Sequence, residues 1–318
     1  MTTPHYSLAG KKVWVAGHNG MVGSALLRAL ADKNCEIVMA ARSELDLRRQ
    51  RDVEDWVAAH RPDVTFMAAA IVGGILANDT YPVEFLVENI QIETNIIAAA
   101  HANNVERFVF LGSSCIYPRL ASQPMKETAL LTGPLEPTNR WYAIAKIAGL
   151  MMTQAYRKQY GRDYIACMPT NLYGPGDNFD LESSHVLSAL IVKAHAAKTT
   201  GDASFEIWGT GKPTREFLYV DDLADALVFL AENYSDESPI NIGFGKDIPI
   251  GDLAKEVAKI IGFEGDITND LGKPDGMPRK LMDSSRIHAL GWHAQTSLGD
   301  GIAKTYQWYL DHHLKERA

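Results

Sequence analysis

Residues 12–23 read Lys12-Val13-Trp14-Val15-Ala16-Gly17-His18-Asn19-Gly20-Met21-Val22-Gly23. The apolar run before Gly17 suits a short strand buried on both faces. From Met21 onward the apolar residues recur at helical spacing. Between the two stands the pattern GxxGxxG. Gly17 permits a tight turn, Gly20 lets the main chain approach a pyrophosphate, and Gly23 lets the helix pack on the strand. The helix N-terminus then offers free N–H groups and a partial positive charge to phosphates. A glycine pattern alone also fits an ordinary strand-to-helix turn. A strand before it and a helix after it, at the head of an alternating chain, make it a dinucleotide site.

The same rhythm runs outward. Apolar runs at 36–40, 64–67, 107–111 and 164–168 alternate with helical patterns at 21–32, 48–60, 82–103 and 142–160. Strands alternating with helices mean parallel strands joined by crossovers. The expected fold is therefore α/β, a doubly wound parallel sheet (Rossmann) over residues 1–174. After Pro169 the rhythm weakens, and 171–184, rich in Gly, Pro, Asn, Asp and Ser, reads as loop. Helices at 186–197, 223–233, 250–262 and 298–315, with strands at 205–208 and 217–220, are expected to build a smaller α/β C-terminal domain, residues 175–318. Some chain should cross between the two.

At roughly 150 residues per domain, 318 residues fit two domains. Lys plus Arg number 31 against 39 Asp plus Glu, a net charge of −8, which weighs against non-specific nucleic-acid binding. Three scattered cysteines, Cys35, Cys115 and Cys167, make no disulfide framework. The longest apolar stretch, 64–77, is broken by Thr65, Gly73 and Gly74 and is too short to span a bilayer. No basic region followed by an apolar run opens the chain, so the expectation is a cytoplasmic protein without a signal peptide. No grouping of His, Cys, Asp and Glu has metal-ligand spacing, and no metal is expected.

The second strand runs into Met39-Ala40-Ala41-Arg42. An NAD site usually places an acid there to accept from the ribose 2′-OH. Here stands Arg42, whose fork suits a 2′-phosphate, so the expected cofactor is NADP. Glu44 nearby counts the other way. Further on, Tyr142 and Lys146 are four apart and share one helix face. A lysine beside a tyrosine favours the phenolate, so Tyr142 is expected to exchange a proton near neutral pH. Ser113-Ser114 follows the fourth strand, at the carboxyl ends where open sheets bind ligands.

The glycine loop, the serine pair and the Tyr-xxx-Lys pair together resemble the extended short-chain dehydrogenase/reductase family. A narrower likeness, to the GDP-L-fucose synthase family, runs from about Lys12 to Tyr309. It rests on Gly17-His18-Asn19-Gly20-Met21-Val22-Gly23-Ser24, Gly112-Ser113-Ser114-Cys115-Ile116-Tyr117-Pro118, Glu136-Pro137-Thr138-Asn139 and Tyr142-Ala143-Ile144-Ala145-Lys146. Met168-Pro169-Thr170-Asn171-Leu172-Tyr173-Gly174-Pro175 and Lys273-Pro274-Asp275-Gly276 extend it. The resemblance implies a bifunctional enzyme. It would epimerise GDP-4-keto-6-deoxy-D-mannose at C3 and C5, then reduce the C4 ketone with NADPH to give GDP-L-fucose.

By position, the resemblance makes Ser113 and Tyr142 partners of the C4 oxygen. Lys146 assists Tyr142 and holds the cofactor ribose, and Cys115 and His185 are the acid/base pair for epimerisation. It gives the cofactor His18, Asn19, Met21 and Val22 beside the three glycines. Arg42, Leu45, Asp46, Leu47, Leu111, Gly112, Ser113, Ser114, Lys146, Pro169, Thr170, Asn171, Leu172 and His185 complete that set. Lys193, Trp208, Arg215, Asp275 and Lys280 are assigned to the GDP-sugar. The family commonly has a basic residue where Asn19 stands, which tempers the NADP preference.

The chemistry agrees with those residue types. A proton beside a ketone is acidic because the enolate places charge on oxygen, which Ser113 and Tyr142 would stabilise. Inverting a carbon needs proton removal on one face and delivery on the other, and a thiol and an imidazole qualify. In an extended segment Ser113 and Cys115 would point the same way. On residue type alone Cys115 is a small buried apolar group, His185 a surface residue, and Arg215 a structural partner of Asp221 or Asp222. Two other readings stand beside this one: another nucleotide-sugar epimerase or dehydratase with tightly held NAD, and a non-enzymatic NAD(P)-sensing regulator. Finally, Ile92, Ile96 and Ile97 on one long helix and Leu150, Met151 and Met152 on another exceed the single apolar stripe a sheet-covering helix needs. A homodimer is therefore expected.

Overall fold

The computed structural model describes residues 5–181, 183–273 and 275–314, so residues 1–4, Glu182, Pro274 and Lys315 of the segments read above lie outside the described residues. The first half runs β1 (Lys12–Ala16), α1 (Met21–Leu30), β2 (Glu36–Val38), α2 (Gln50–His60), β3 (Val64–Met67), α3 (Ile75–Thr80), α4 (Asn89–Ala102), β4 (Arg107–Leu111), α5 (Arg140–Tyr160) and β5 (Asp163–Pro169). Then come β6 (Asn171–Tyr173), α6 (Val186–Thr200), β7 (Ser204–Trp208), β8 (Thr214–Tyr219), α7 (Val220–Asn233) and β9 (Ile240–Ile242). The chain continues through β10 (Asp247–Pro249), α8 (Ile250–Ile261), β11 (Asp266–Asp270), β12 (Arg279–Lys280), α9 (Ser285–Ala289) and α10 (Leu298–Trp308).

Six strands form an all-parallel sheet in the order β2-β1-β3-β4-β5-β9. Period-two alternation sends Val13 and Val15 to one face, against Leu26 and Leu30 of α1 and Leu223, Leu227 and Leu230 of α7. Trp14 and Ala16 go to the other face, with Val53 and Val57 of α2, Ile96 and Ile97 of α4 and Leu150 of α5. Helices on both faces explain why these strands are continuous apolar runs, as the doubly wound reading requires. Strand order reverses between β1 and β3, which opens a crevice beyond their carboxyl ends.

A second core gathers Tyr173, Leu187, Ile191, Phe205, Ile207, Phe217, Leu253, Val257, Ile261 and Ile302 around α6, α8 and α10. Short sheets, β10-β8-β12 with β6 beside β8 and β11 beside β7, carry this part. The chain does cross over: α7 packs on α1, and β9 completes the large sheet from beyond residue 175.

Several expected elements differ. The helix expected over 82–103 runs without a break but with one widened turn: a π-turn, Glu84–Glu88, leads straight into α4. The cause is Asn89, whose side-chain amide donates to Phe85 O at 2.8 Å and to Ile71 O at 3.0 Å, while its Oδ1 accepts from Ile71 N at 2.7 Å. A side chain that takes the carbonyl four residues back widens the turn. The loop expected over 171–184 opens with β6, whose pairing with β8 is a tertiary contact that loop-like composition hides. The final expected helix ends as α10 and passes into a π-turn at Tyr309–His313. Ile92, Ile96, Ile97 and Leu150 are not surplus surface: α4 and α5 lie side by side on one face of the sheet, with α2 on the other flank of α4, and all four residues sit in that core. Met152 packs against that core as well, and Met151 alone of the six is exposed.

Candidate active site

The glycine turn is built as the motif demands. Gly17 lies at φ +89°, and a Cβ on it would meet the main-chain N and Cα of Ala69 at 2.8 Å. Here only glycine avoids both the left-handed strain and the collision with the chain after β3. A Cβ on Gly23 would run into the Gly17 carbonyl and stand 2.6 Å from His18 Cα. Gly20 caps α1 without a side-chain hydrogen bond, so the first-turn N–H groups point into the crevice unclaimed by a cap. Main chain can approach a diphosphate here, and the residues fit a dinucleotide.

At the end of β2 Arg42 is exposed and, among the described residues, carries no ion pair. Asp46 is clamped by Arg48 through bonds of 2.9 and 2.7 Å, which hold its carboxyl far below the usual carboxylate range. No free acid therefore waits for a 2′-OH in the loop from Ala41 to Leu47 other than Glu44, whose Oε2 accepts from Ala41 N at 3.0 Å. The electrostatics of this corner suit a 2′-phosphate.

Past β4, residues Ser114–Ile116 form a 3-10 turn rather than an extended segment. Side-chain parity therefore does not align Ser113 with Cys115. Instead the turn folds Cys115 back, and its N–H donates to Ser113 Oγ at 3.2 Å. Both still lie close enough to Tyr142 of α5 to act on its phenol, Ser113 drawing its pKa down and Cys115 pushing it up. Two further side chains reach the cysteine. Asn139, which caps α5, donates to Cys115 Sγ at 3.3 Å, and Lys280 of β12 donates to it at 3.4 Å. The register Lys280↔Arg215 sets these two cations side by side at the same end of the second body.

Lys146 is not spent on Tyr142 as the spacing alone implied. Its ammonium donates to Leu111 O at 3.0 Å and pairs with Glu93 of α4 at 3.1 Å, while the centre of the Tyr142 ring is 5.8 Å away. The phenol of Tyr142 is pushed up from its ordinary value, not down. Burial is the main cause, the negative charges of Cys115 and Glu93 add to it, and the Ser113 hydrogen bond opposes it. Burial therefore favours the protonated form of the Tyr142 phenol.

His185 stands at the N-cap of α6 and is exposed to the cleft. Loss of water around the ring nevertheless pulls its pKa below the ordinary histidine value, with Asp177 drawing it up and Lys280 pushing it down. Asp177 accepts from Ser188 Oγ and is itself pushed up by burial. Lys280 thus bonds the Cys115 thiol, and its charge also reaches the His185 imidazole.

The residues assigned to a nucleotide sugar lie on the second body. Lys193 donates to Glu206 O at 2.8 Å and lies 5.8 Å from the Trp208 ring centre, with Lys273 at 5.2 Å. Trp208 is 46% exposed, a flat platform flanked by cations. Asp275 accepts from Thr210 N and Oγ1 at 2.6 and 2.8 Å, which ties its loop to the turn after Trp208. Arg215 is not the partner of Asp221 or Asp222: Asp221 pairs with Arg28 and Asp222 accepts from Thr296. Its guanidinium donates to Thr214 O and feels the charge of Glu136, and among the described residues it makes no ion pair. Pro169, Thr170, Asn171 and Leu172 lie where β5 passes into β6, and Asn171 is fixed by donation to Glu216 O at 2.7 Å.

Sequence reasoning gave no role to Asn139, Asp177 or Glu93. Asn139 was legible as the cap of the Tyr142 helix. Glu93 was legible as the lone acid on the apolar face of α4. Asp177 had no local signal, since its link to His185 is tertiary. Among the described residues no group of His, Cys, Asp and Glu is arranged to hold a metal ion.

Over residues 13–243 the sequence matches the NAD dependent epimerase/dehydratase family. A GDP-L-fucose synthase of Sinorhizobium fredii is 56% identical over 307 residues, which cover 96% of this chain and 98% of that protein. The GDP-L-fucose synthase of Escherichia coli is 49% identical over 314 residues, covering 96% and 98%. Among solved structures, a gdp-l-fucose synthetase from Naegleria fowleri bound to NADP matches with a TM-score of 0.90 at 27% identity, over 100% of this chain and 99% of that one.

Proposed function

The chain belongs to the NAD dependent epimerase/dehydratase family, and we propose that its active site works as a 3,5-epimerase and 4-reductase on GDP-4-keto-6-deoxy-D-mannose. Its activity is that of a GDP-L-fucose synthase, and its cofactor is NADP(H). The observation that supports the site assignment best is the meeting of Ser113, Tyr142, Cys115 and Lys280 at the carboxyl end of the large sheet.

In this reading Lys193, Trp208, Arg215, Asp275 and Lys280 seat the GDP-sugar, and the ketone lies between Ser113 and Tyr142. Their hydroxyls hold the C4 oxygen and stabilise the enolate when a proton leaves C3 or C5. Cys115 and His185 take and return those protons on opposite faces of the sugar. Lys280 and Asn139 hold the Cys115 sulfur in place by hydrogen bonds. When bound, NADPH supplies the hydride that reduces C4. Tyr142 gives its proton to the C4 oxygen, which suits a phenol held in its protonated form. The glycine turn and Arg42 hold the cofactor phosphates, and Lys146 holds its ribose.

The division into a dinucleotide domain, 1–174, and a substrate domain, 175–318, belongs to the same proposal, with α7 and β9 returning to the first. So does a homodimer, supported by exposed apolar side chains: Val83 just before the π-turn, Val87 within it, and Ile144 and Met151 of α5. A cytoplasmic location is proposed too; no described helix is long and apolar enough to cross a membrane. The deciding experiment mixes the protein with NADPH and the 4-keto sugar nucleotide. Loss of NADPH absorbance, with deuterium entering C3 and C5 in deuterated water, is expected. Cofactor consumption without exchange would reassign the enzyme as a simple reductase.

A further inference from the structure

Glu93 is a buried acid that the reaction just described does not use. Its side chain is 1% exposed and that of Lys146 is 2% exposed, and the two stand 3.1 Å apart. Neither carboxylate oxygen is met by a well-aligned donor, so proximity and charge, rather than hydrogen-bond geometry, make this contact. The fold keeps room for it. A Cβ on Gly149, one turn along α5 from Lys146, would meet Glu93 Oε2 at 2.5 Å and collide with the Phe110 ring. Taking a carboxylate out of water is costly unless its charge is answered. Here burial pushes the Glu93 carboxyl up, and the Lys146 ammonium pulls it back.

We propose that Glu93 is a positioning residue that holds Lys146 against the end of β4 and cancels its field at Tyr142, so that Tyr142 meets the ketone as a protonated acid. The proposal rests on the reading of the site as a ketone reductase, because reduction needs a phenol that still carries its proton. A lysine without a counter-ion would favour the phenolate. Among the described residues the groups acting on Tyr142 come from each neighbouring element. They are Cys115 and Ser113 from the turn after β4, Glu93 from α4, Lys146 from α5 and, from the π-turn, the uncharged Phe85 ring at 6.3 Å. Lys280 acts from behind Cys115. Of the carboxylates only Glu93 is placed to offset Lys146.

The test replaces Glu93 by Gln, with Glu93→Ser, which admits water beside Lys146, as a second neutral variant should the first not fold. Two readouts are taken. In cofactor-free protein, the alkaline absorbance change of each form minus that of its Tyr142→Phe counterpart reports the ionisation of Tyr142 alone. Losing the Glu93 charge should lower its midpoint by about one pH unit or more. In the loaded enzyme, the alkaline limb of single-turnover NADPH oxidation should move down by the same amount. Above that limb the variant should be roughly tenfold slower than the wild type at equal pH. Coincident titration curves and coincident limbs in wild type and neutral variants would overturn the proposal. If wild type oxidises no NADPH with the 4-keto sugar nucleotide, the functional reading has failed, and the phenol titration still decides whether Glu93 sets the state of Tyr142.

Discussion

Cys115 shows how much a single residue owes to its neighbours. From composition it is a small apolar residue, yet the structure brings an ammonium and a side-chain amide to its sulfur. Cys115→Ser keeps the shape but replaces a thiol by a hydroxyl that does not titrate near neutral pH. Deuterium exchange at C3 and C5, followed by NMR, should slow by roughly 10²–10⁴-fold while NADPH binding persists. Exchange at the wild-type rate would return Cys115 to the status of a packed thiol. The His185 imidazole, held below 6.5, stays neutral as pH falls through that value, so the acid limb of exchange should lie below 6.5. The carboxylate of Asp177 raises that pKa, so Asp177→Asn should move the limb lower still; a shift upward would contradict the pairing. Arg42→Ala should narrow the preference for NADPH over NADH by roughly tenfold, the worth of one charge-assisted bond, in paired kcat/KM measurements.

The strand–turn–helix unit from β1 to α1 is where element and function coincide. Gly23→Ala forces a methyl onto the Gly17 carbonyl and His18 Cα, main-chain atoms that cannot yield without moving the turn. Overpacking of this kind costs about 1–3 kcal/mol and would displace the N–H groups that meet the phosphates. Gly23→Ala should therefore lower Tm and abolish NADPH binding measured by cofactor fluorescence. Normal binding would show that the turn is not the phosphate cradle. This element was readable from sequence because its determinants are local: a turn, a cap and two apolar periods. The π-turn before α4 was not, because its cause is the grip of Asn89 on Ile71 and Phe85, and Ile71 lies in the loop after another strand.

At the scale of the whole molecule, the two bodies are sewn together by chain that returns from the second to the first, through α7 and β9. The cleft they border is therefore lined from both sides, with Ser113 and Tyr142 on one wall and Lys280 and Arg215 on the other. The apolar surface left on α5 and the π-turn, with Ile144 at 41% and Met151 at 36% exposed, is what a two-fold partner would cover. A carboxylate buried there without a partner is costly. Met151→Glu should convert a dimer of the wild type to a monomer in sedimentation at micromolar concentration, with the helical circular dichroism kept. A monomeric wild type would remove the dimer from the proposal.

The sequence by itself determined the sheet, the dinucleotide turn and the spacing of the Tyr142/Lys146 pair. Each of these is written in short-range terms: hydrophobic period, glycine at a turn, residues four apart on a helix. Only the tertiary structure decided what those side chains do to one another. It sent Lys146 to Glu93 rather than to the phenol, pushed the Tyr142 phenol up by burial, and put Lys280 against Cys115 from 165 residues away. It also freed Arg215 from Asp221 and Asp222 and buried four of the six residues whose spacing had suggested an outer apolar face. The reason is physical. The charge state of a buried group is set by the few ångströms around it, and in a doubly wound fold those ångströms are filled by elements distant in the chain.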